Sequence, residues 1–297
     1  MRIDLHTHSD RSDGTDPPAE LVRRAHEQGV DVLGLTDHDT AEGWQEAADA
    51  ARRTGVTLVR GIEVSCRFGG YGVHLLAYLP DPTYPPLVAE LQRVLDGRNA
   101  RLPATLERLR RLGIDIDVDD VRAVAGETAA MGRPHVADAL VALGVVRDRN
   151  AAFGRFLGPQ GPAYVHRYAA ELEAMICTVA EAGGVTVVAH PWASRHDHSA
   201  LDERGLARLK AAGLSGIEVD HHDHPTGTRE RLRELARRLE LVVTGSSDHH
   251  GTGKPGHELG SLTTAPDQLE RLLDLASAAS AGSGRRTPEV LQRSTAS

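Results

Sequence analysis

The sequence predicts an α/β fold, a barrel of about seven strands interrupted by a helical insertion. Short apolar runs alternate with amphipathic segments along most of the 297 residues, which is typical of strands that are each followed by a helix. Nearly every polar cluster comes at the C-terminal end of a predicted strand, where α/β barrels build their active sites. With 40% hydrophobic residues, the chain can bury one large core, or a domain with a smaller insertion.

The first predicted strand carries two histidines, His6 and His8, followed by a carboxylate, Asp13, on the next loop. Side chains two positions apart in a strand point to the same face, so the two imidazoles are presented side by side. This arrangement suits a metal ion. Taken alone, two histidines near an N-terminus can also be accidental, and the rest of the chain decides between these alternatives.

The first helix is predicted to begin with Asp16 as its N-cap and Pro17 in its first turn, and to end at Gly29. The apolar run 30–36 follows, a strand of the kind that is buried on both faces in a parallel sheet. It leads directly into His38, which therefore lies at a strand's C-terminal end.

A second helix is predicted next, with Asp39 and Glu42 spaced as a capping box and Gly55 as its end. The strand 56–65 follows and carries Glu63. Gly69 and Gly70 indicate a turn, and residues 72–79 the returning strand. A hairpin centred near residue 69 would place Glu63 and His74 almost opposite each other, close enough to share one metal.

Several prolines after residue 79 mark a boundary, and residues 83–163 are predicted to form a helical insertion that covers the mouth of the barrel. Leu102, Leu106 and Leu109 make one apolar helix face, with the neighbouring arginines, including Arg101, largely outside it. The barrel itself is assigned to residues 1–82 and 164–280, and residues 281–297 to a disordered tail.

The strand and helix alternation resumes near residue 168. Strands are predicted at 185–189, 216–219 and 241–245, and a last helix at about 266–279. The three strands end respectively in His190, in the group 220–224 that contains three histidines, and in Asp248 and His250. The strand ends together supply six imidazoles and three carboxylates, namely His6, His8, Asp13, His38, Glu63, His74, His190, Asp248 and His250. Buried together without metal, these groups would carry a large desolvation and repulsion cost, which two or three divalent ions would remove.

Bulk composition narrows the function. A net charge of −8 and 3% aromatic residues argue against a basic nucleic-acid-binding surface, so we expect no stable binding of duplex nucleic acid. The two cysteines form no motif, and neither a signal peptide nor a long apolar stretch is seen, so we expect a cytoplasmic protein with no membrane partner.

The ordered motifs resemble the PHP (polymerase and histidinol phosphatase) superfamily over about residues 3 to 260. They are Asp4-x-His6-x-His8-Ser9, Ser12-Asp13-Gly14, Thr36-Asp37-His38-Asp39, Gly61-x-Glu63, His74, Ala189-His190-Pro191 and Ser247-Asp248-x-His250. The resemblance implies a distorted seven-stranded barrel, (β/α)7, and a site for three divalent ions, for which manganese, zinc and iron are all acceptable.

The resemblance also implies which residues hold each ion. One ion is expected on His6, His8, Glu63 and Asp248, a second on Glu63, His74 and His190, and a third on Asp13, His38 and His250. We expect a hydroxide between the first two ions to attack phosphorus in line, with Glu63, His190 and Asp248 as the residues closest to the chemistry.

The insertion, with Gly132-Arg133-Pro134-His135, resembles the subgroup that removes the 3′-phosphate from nucleoside 3′,5′-bisphosphates and can trim short RNA from its 5′ end. A small phosphorylated nucleotide or a short oligoribonucleotide is therefore the expected partner. Arg133 would grip a phosphate with its guanidinium fork, His135 would orient it, and His222 would be the one member of its histidine group to face the site. Each role has a structural alternative. Arg133 could form an ion pair at the surface, His135 could be a structural residue of its helix, and His222 could be a solvated loop residue.

Two other functions compete with this hypothesis. One is a phosphomonoesterase acting on histidinol phosphate or a nucleoside monophosphate. The other, of a different class, is a non-catalytic metal-binding module, against which the complete ligand set counts. The sequence does not give the oligomeric state.

Overall fold

The computed structural model describes residues 1–126, 128, 130–193 and 200–291. Within them, one mixed sheet of eight strands curls into a nearly closed barrel. The strands are β1 Ile3–Thr7, β2 Val32–Leu35, β3 Thr57–Phe68, β4 Tyr71–Tyr78, β5 Ala170–Glu171, β6 Val185–Val188, β7 Gly216–Asp220 and β8 Val242–Gly245. Seven of them follow the order β1-β2-β3-β4-β6-β7-β8, with the short β5 paired to β3. A backbone bridge between Thr7 and His249 brings the two ends of this order together.

The strand β4 is the source of the distortion in the barrel. It runs antiparallel to both β3 and β6, whereas the pairs β1–β2, β2–β3, β6–β7 and β7–β8 are parallel. The N-terminal half of β4 therefore lies at the same mouth of the barrel as the C-terminal ends of its parallel neighbours. The predicted α/β barrel is confirmed, and His74 reaches that mouth because its strand is reversed.

Ten helices surround or extend the barrel in the described part of the chain. They are α1 Pro18–Glu27, α2 Trp44–Thr54, α3 Pro85–Arg111, α4 Val118–Ala125, α5 Arg133–Ala142, α6 Arg149–Ala152, α7 Leu172–Glu181, α8 Glu203–Ala211, α9 Thr226–Arg238 and α10 Pro266–Ser283. A π-helical turn, Phe153–Leu157, and a 3₁₀ turn, Gly251–Gly253, complete the described elements. None of the described helices combines the length and apolarity that crossing a membrane requires.

Two apolar clusters hold the barrel together because strand side chains alternate between its faces. Leu33 and Leu35 of β2 pack in the larger cluster, between the sheet and the outer helices. Val32 of the same strand packs in the second cluster, with Ile3 and Leu5 of β1 and one face of α10. This second cluster gathers the N-terminal ends of the parallel strands, so α10 closes the bottom of the barrel and leaves the other mouth for polar groups.

The two helix starts predicted from capping patterns are wrong. Pro17 occupies the N-cap position of α1, and the Asp16 carboxylate instead lies 2.6 Å from the Arg24 guanidinium. The helix α2 begins only at Trp44, because Asp39 has a positive φ of 59° and its carboxylate is used in the barrel. Gly55 does end α2, in the left-handed conformation that glycine adopts without strain.

The helices α3 to α6 and the π-helical turn have an apolar cluster of their own, to which Leu102, Leu106 and Leu109 contribute as predicted. We call this region, Pro85–Leu157, the cap. Arg101, predicted to lie largely outside the apolar face, is nevertheless buried, with 7% of its surface exposed. The exact domain limits 83 and 163 stay a prediction.

The C-terminal region differs in part from the predicted disordered tail. The helix α10 continues to Ser283, and Leu291 forms a backbone bridge with Leu58 of β3. Residues 292–297 lie outside the described residues, as do His196 and His198, which the sequence assigns to a loop.

Candidate metal centre

The nine predicted metal-binding side chains meet at the open mouth of the barrel. They come from six strands or the loops that follow them: His6, His8 and Asp13 from β1, His38 from β2, Glu63 from β3, His74 from β4, His190 from β6, and Asp248 and His250 from β8. Eight of them are buried or nearly so, and His74 keeps 35% of its side chain exposed.

Four ligand atoms converge on one point at the centre of the mouth. His6 Nε2 and His8 Nε2 lie 3.1 Å apart, and each lies 3.1–3.3 Å from Glu63 Oε2. Asp248 Oδ1 lies 3.5 Å from the first nitrogen and 3.4 Å from the second. Two atoms that are each about 2.1 Å from one ion at a tetrahedral angle lie about 3.4 Å apart. His6, His8 and Asp248 are therefore close enough together to hold one ion, and Glu63 Oε2 lies beside the two imidazoles.

The other oxygen of Glu63 faces a second group. Glu63 Oε1 lies 2.8 Å from His74 Nδ1 and 3.3 Å from His190 Nε2. The hairpin register differs from the prediction, since Glu63 pairs with Leu76 and His74 with Ser65. The contact between Glu63 and His74 is thus diagonal, which a long side chain can span across two strands. Glu63 divides its two oxygens between two ligand groups, as a bridging carboxylate does.

A third group forms around Asp13. His250 Nε2 lies 3.3 Å from Asp13 Oδ1, and His38 Nε2 lies 3.6 Å from Asp13 Oδ2. His8 adjoins this group through its other ring nitrogen, 3.8 Å from Asp13 Oδ1. The loop after β1 therefore supplies side chains to both the first and the third group.

The chemistry of this set fits metal ions rather than a hydrogen-bonded network. His38 Nδ1 is buried and lies 3.1 Å from Glu63 Oε2, yet it makes no hydrogen bond there. Asp13 Oδ1 is likewise buried without a hydrogen bond. Imidazole nitrogens and carboxylate oxygens with no proton between them are what manganese, iron and zinc bind. Several groups of these residues lie close enough together to hold an ion. Two of these groups are His8, Asp13, His38 and His250, and His6, His8 and Asp248.

The protonation states of these carboxyl and imidazole groups also fit the binding of metal ions. Burial raises the pKa of the Asp13 and Glu63 carboxyls, but the surrounding histidines outweigh it and hold both values well below their usual range. Burial lowers the pKa of His38 to about 3, so this imidazole is neutral. Burial would also lower the pKa of His8, but Asp248 and Glu63 raise it to about 9. Protons on His8 thus supply positive charge that a bound cation would replace.

Glu218 of β7 is a buried residue that the sequence reasoning missed. Its Oε1 lies 3.2 Å from His6 Nδ1, and its Oε2 accepts a 2.9 Å hydrogen bond from the backbone N–H of His190. The carboxylate therefore holds the proton on His6 Nδ1 and leaves the Nε2 lone pair for the centre. The sequence could have indicated Glu218, because a glutamate inside an otherwise apolar strand needs a polar or charged partner.

The histidine group after β7 also differs from the prediction. His221, not His222, turns into the mouth, with its Nε2 3.1 Å from Asp248 Oδ2. His222 is exposed and contacts Ser261 Oγ at 3.0 Å, so its expected role in substrate binding is not supported. The Lys254 ammonium, on a side chain that is 32% exposed, also donates to Asp248 Oδ2, and this contact was not apparent from the sequence.

Two buried aspartates fix the loops that carry the ligands. Asp37 accepts hydrogen bonds from Ser9 N–H at 2.8 Å, and from the hydroxyls of Ser9 and Ser12 at 2.6 Å each. Asp4 accepts from Ser247 N–H at 3.0 Å and from Ser247 Oγ at 2.6 Å. The first contact holds the loop after β1 to β2, and the second holds the loop after β8 to β1.

The two remaining predicted site residues lie at the start of α5. The Arg133 guanidinium lies over the rings of Phe153 and Tyr164, 5.5 and 5.3 Å from their centroids, and donates to the Leu157 carbonyl at 3.1 Å. His135 Nδ1 accepts a 3.0 Å hydrogen bond from Gly132 N–H, and burial lowers the pKa of His135. The neutral ring therefore carries its proton on Nε2, where it can donate to an anion.

The cap is fastened directly to the loop after β1. Thr128 Oγ1 donates to the Arg11 carbonyl at 2.8 Å, and Arg149 Nη1 contacts the Asp13 carbonyl at 3.3 Å while its guanidinium pairs with Asp138. The arrangement as a whole places a cluster of possible metal ligands next to a cap that contributes arginine side chains. It is suited to binding divalent cations together with a phosphate ester, whose oxygens such cations stabilise.

Comparison with known proteins agrees with this geometry. Residues 4–96 match the model of the PHP domain family. The chain is 35% identical over 272 residues to the 3′,5′-nucleoside bisphosphate phosphatase of Chromobacterium violaceum, an alignment that covers 89% of this chain and 92% of that protein. It is 36% identical over 251 residues to a 5′-3′ exoribonuclease of Haemophilus influenzae, covering 84% of this chain and 90% of the relative. A crystal structure from Bifidobacterium adolescentis, described as a metal-dependent phosphoesterase, superposes with a TM-score of 0.88 at 36% identity over 92% of this chain and 95% of that chain.

Proposed function

The chain belongs to the PHP family of metal-dependent phosphoesterases, and from this premise we propose that it removes the 3′-phosphate from nucleoside 3′,5′-bisphosphates. The observation that carries phosphoester hydrolysis is the convergence of His6, His8, Glu63 and Asp248, in which each carboxylate has an oxygen within 3.5 Å of both imidazole Nε2 atoms. The choice of substrate is supported by the name of the Chromobacterium violaceum relative, which aligns along most of this chain.

Three ions are proposed for the centre. His6, His8, Glu63 and Asp248 would hold the first, and Glu63 with His74 and His190 the second. The third would lie on Asp13, His38 and His250. The 2.8–3.6 Å separations within each group support this division, as does the position of Glu63 between the first two groups.

When bound, such ions lower the pKa of water, neutralise phosphate oxygens and stabilise a leaving oxygen. The protein's own residues then set the geometry. Glu218 keeps His6 in the tautomer whose Nε2 faces the centre. Asp37 and Asp4 hold the two ligand-bearing loops in register, so that side chains from opposite edges of the barrel meet at one point.

Substrate phosphate is proposed to meet the cap from above the centre. Arg133 would bind a phosphate oxygen with the part of its guanidinium that is not committed to the Leu157 carbonyl. His135 would donate from Nε2, because its Nδ1 is occupied by Gly132 N–H. Both residues come from the same helix start, whose free backbone N–H groups also favour an anion.

A related activity on short RNA is proposed by similarity to the Haemophilus influenzae exoribonuclease. Both substrates present a phosphate ester of ribose, so one centre can serve both. The partner is accordingly a small nucleotide or a short oligoribonucleotide.

Phosphate release from adenosine 3′,5′-bisphosphate, adenosine 5′-monophosphate and histidinol phosphate tests this proposal. We expect turnover of the bisphosphate, with adenosine 5′-monophosphate as a product that is not consumed further. Asp13→Ala, which removes a proposed ligand, is expected to abolish turnover, and His222→Ala, at the surface, provides the matched control. Preference for histidinol phosphate, or no turnover of any of the three, would overturn the proposal.

A further inference from the structure

The cap contacts three consecutive backbone carbonyl groups of the loop after β1. Thr128 Oγ1 donates to the Arg11 carbonyl at 2.8 Å and lies 3.1 Å from the Ser12 carbonyl. Arg149 Nη1 donates to the next carbonyl, that of Asp13, at 3.3 Å. All three acceptors are main-chain oxygens, so these contacts fix the path of the backbone. The backbone that carries the Asp13 carboxylate is therefore held from the side of the cap.

The Arg149 guanidinium is itself held in one orientation. Its Nε donates to Asp138 Oδ1 at 2.5 Å, and its Nη2 donates to Asp138 Oδ2 at 2.6 Å. Paired contacts of this kind fix the plane of a guanidinium group, which the ammonium group of a lysine cannot reproduce. The Arg149 side chain is 15% exposed, so the ion pair is largely shielded from water. The remaining nitrogen, Nη1, is left for the Asp13 carbonyl.

Arg149 also packs against the loop after β8, which carries His250. A Cβ atom on Gly253 would lie 2.3 Å from Arg149 Nη1 and 2.6 Å from its Cζ, so only glycine allows this approach. The backbone N–H of Gly253 in turn donates to the His250 carbonyl at 3.2 Å. One guanidinium group thus contacts both loops that carry Asp13 and His250, two of the three residues in the third ligand group.

The third ligand group needs this support, because the Asp13 carboxylate has little of its own. Asp13 Oδ1 is buried and makes no hydrogen bond, and it lies 3.3 Å from His250 Nε2. An oxygen without a hydrogen-bonding partner takes its direction from the backbone that carries it. In the first group, by contrast, Glu218 inside the barrel orients His6. The contacts that orient metal-binding side chains contribute strongly to metal affinity.

We propose that Arg149, held by Asp138 and assisted by Thr128, is a positioning residue that makes the third ligand group depend on the cap. This inference rests on the proposed function and its third ion, and gives the cap a task besides binding substrate phosphate. Asp138 follows His135 by three positions in α5 and therefore shares its helix face. The helix that is proposed to meet the substrate is thus also the one that holds Arg149.

Manganese binding to metal-free protein tests this role without any hydrolysis. Removing the guanidinium charge would itself favour a nearby cation, so the informative variant is Arg149→Lys, which keeps the charge but loses the paired contact. We expect the affinity for one ion to fall about 10- to 100-fold, the usual effect of losing a residue that orients a metal ligand. The ions on the other two groups should keep their wild-type affinity. Arg122→Lys, at a cap arginine whose side chain is 63% exposed, is the matched control.

A double variant identifies the ion that is lost. Asp13→Ala removes a ligand of the third group and should lose the same ion. Arg149→Lys combined with Asp13→Ala should therefore bind as much manganese as Asp13→Ala alone, because both changes act on one site. Gly253→Ala displaces the guanidinium without changing any charge and should reproduce the effect of Arg149→Lys. It keeps the inference testable if the lysine variant does not fold.

The manganese dependence of turnover separates positioning from damage to the fold. Saturating manganese should restore the kcat of Arg149→Lys, because all the metal ligands are still present. A variant whose kcat stays low at saturating manganese would mark a structural role and overturn the inference.

Three other results with Arg149→Lys would also overturn it, namely wild-type manganese binding, an equal loss of affinity at all ligand groups, and further loss of metal when Asp13→Ala is added. Wild-type binding by Asp13→Ala would overturn it as well, since no ion would then occupy the third group. Failure of the proposed function has a different signature, in which Arg149→Lys loses one ion as expected but the wild type hydrolyses no bisphosphate.

Discussion

At the scale of single residues, His6 shows how neighbouring carboxylates decide which ring nitrogen faces the metal centre. Glu218 Oε1 lies 3.2 Å from His6 Nδ1, while Glu63 Oε2 and Asp248 Oδ1 lie 3.3 and 3.5 Å from Nε2. Burial raises the pKa of Glu218, but His6 outweighs it and lowers that pKa to about 2, so the acceptor is ionised. The imidazole thus enters the centre already oriented, without reorganisation on metal binding.

Glu218→Gln keeps the size of this side chain and removes its charge. We expect metal affinity or kcat to fall about 10- to 100-fold, the usual effect of losing a carboxylate behind a ligating histidine. The measurement is the metal content of each protein after dialysis at a fixed free manganese concentration, followed by kcat. Glu234→Gln, at a side chain that is 53% exposed, is the control. Wild-type metal content and kcat in Glu218→Gln would contradict this role.

Residues at strand ends could be predicted from the sequence, and those that depend on long-range contacts could not. Most of the nine side chains could be singled out because they belong to short polar motifs at or just after a strand end, whereas Glu63 and His74 lie within β3 and β4. His221 was not separated from His222, because the choice depends on how the loop after β7 turns towards Asp248. The burial of Arg101, which lies largely outside the predicted apolar face, could not be predicted because only the folded cap reveals that this side of α3 is covered.

At the scale of elements, one buried ion pair is among the contacts that join the cap to the barrel. Arg98 of α3 donates to Asp39 Oδ2 through Nη2 at 2.6 Å and through Nε at 3.1 Å. Ser65 N–H also donates to Asp39, at 2.6 Å. Burial raises the pKa of Asp39, but Arg98 outweighs it, and the carboxylate stays ionised. The same contact positions α3, which carries Arg101.

Arg98→Met should be strongly destabilising, because it leaves the Asp39 carboxylate buried without its cation. We expect the free energy of unfolding to fall by about 3 kcal/mol or more, measured by urea denaturation. Arg111→Met, on the exposed side of the same helix, should change it by no more than about 0.5 kcal/mol. An Arg98→Met variant as stable as this control would show that the ion pair does not join the cap to the barrel.

Strands and helices were predictable as elements, but their starting points were not always so. The carboxylates of Asp16 and Asp39 stand where N-caps are expected, yet tertiary contacts with Arg24 and Arg98 use them instead. Local capping patterns are overruled when a buried guanidinium offers the carboxylate a stronger partner. In the β3–β4 hairpin, Glu63 pairs with Leu76 rather than lying almost opposite His74, because the turn is centred between Gly69 and Gly70 rather than at residue 69.

At the scale of the whole molecule, the barrel concentrates opposite charges at one mouth. Ionised carboxylates lie at its centre, where the histidines hold their pKa values low. In the absence of ions, the carboxylates of Glu63 and Asp248 keep His6 and His8 protonated, with the pKa of His8 at about 9. Metal binding and proton binding therefore compete for the same nitrogens.

Binding of manganese or zinc to metal-free protein should release protons at pH 7.5. The raised pKa values mean that His6 and His8 carry protons at this pH, and an ion must displace them. The release should decline as the pH rises through about 9, where His8 loses its proton without metal. Calorimetric titrations in buffers of different ionisation enthalpy measure it. Heats that do not depend on the buffer would contradict this competition.

The overall architecture could be predicted because apolar periodicity and motif order extend along most of the chain. The antiparallel pairing of β4 with β6 and the closure of the bottom by α10 could not, because both depend on contacts between distant segments. The burial of Arg98 and Arg101 could not be predicted for the same reason, since it depends on how α3 packs against the rest of the chain.

Phosphate release from adenosine 3′,5′-bisphosphate during a manganese titration of metal-free protein tests the central claim most directly. The account predicts no turnover before metal is added, a rise that saturates as the centre fills, and a return to zero with chelator. The organic product should be adenosine 5′-monophosphate. Full turnover by rigorously metal-free protein would contradict the account.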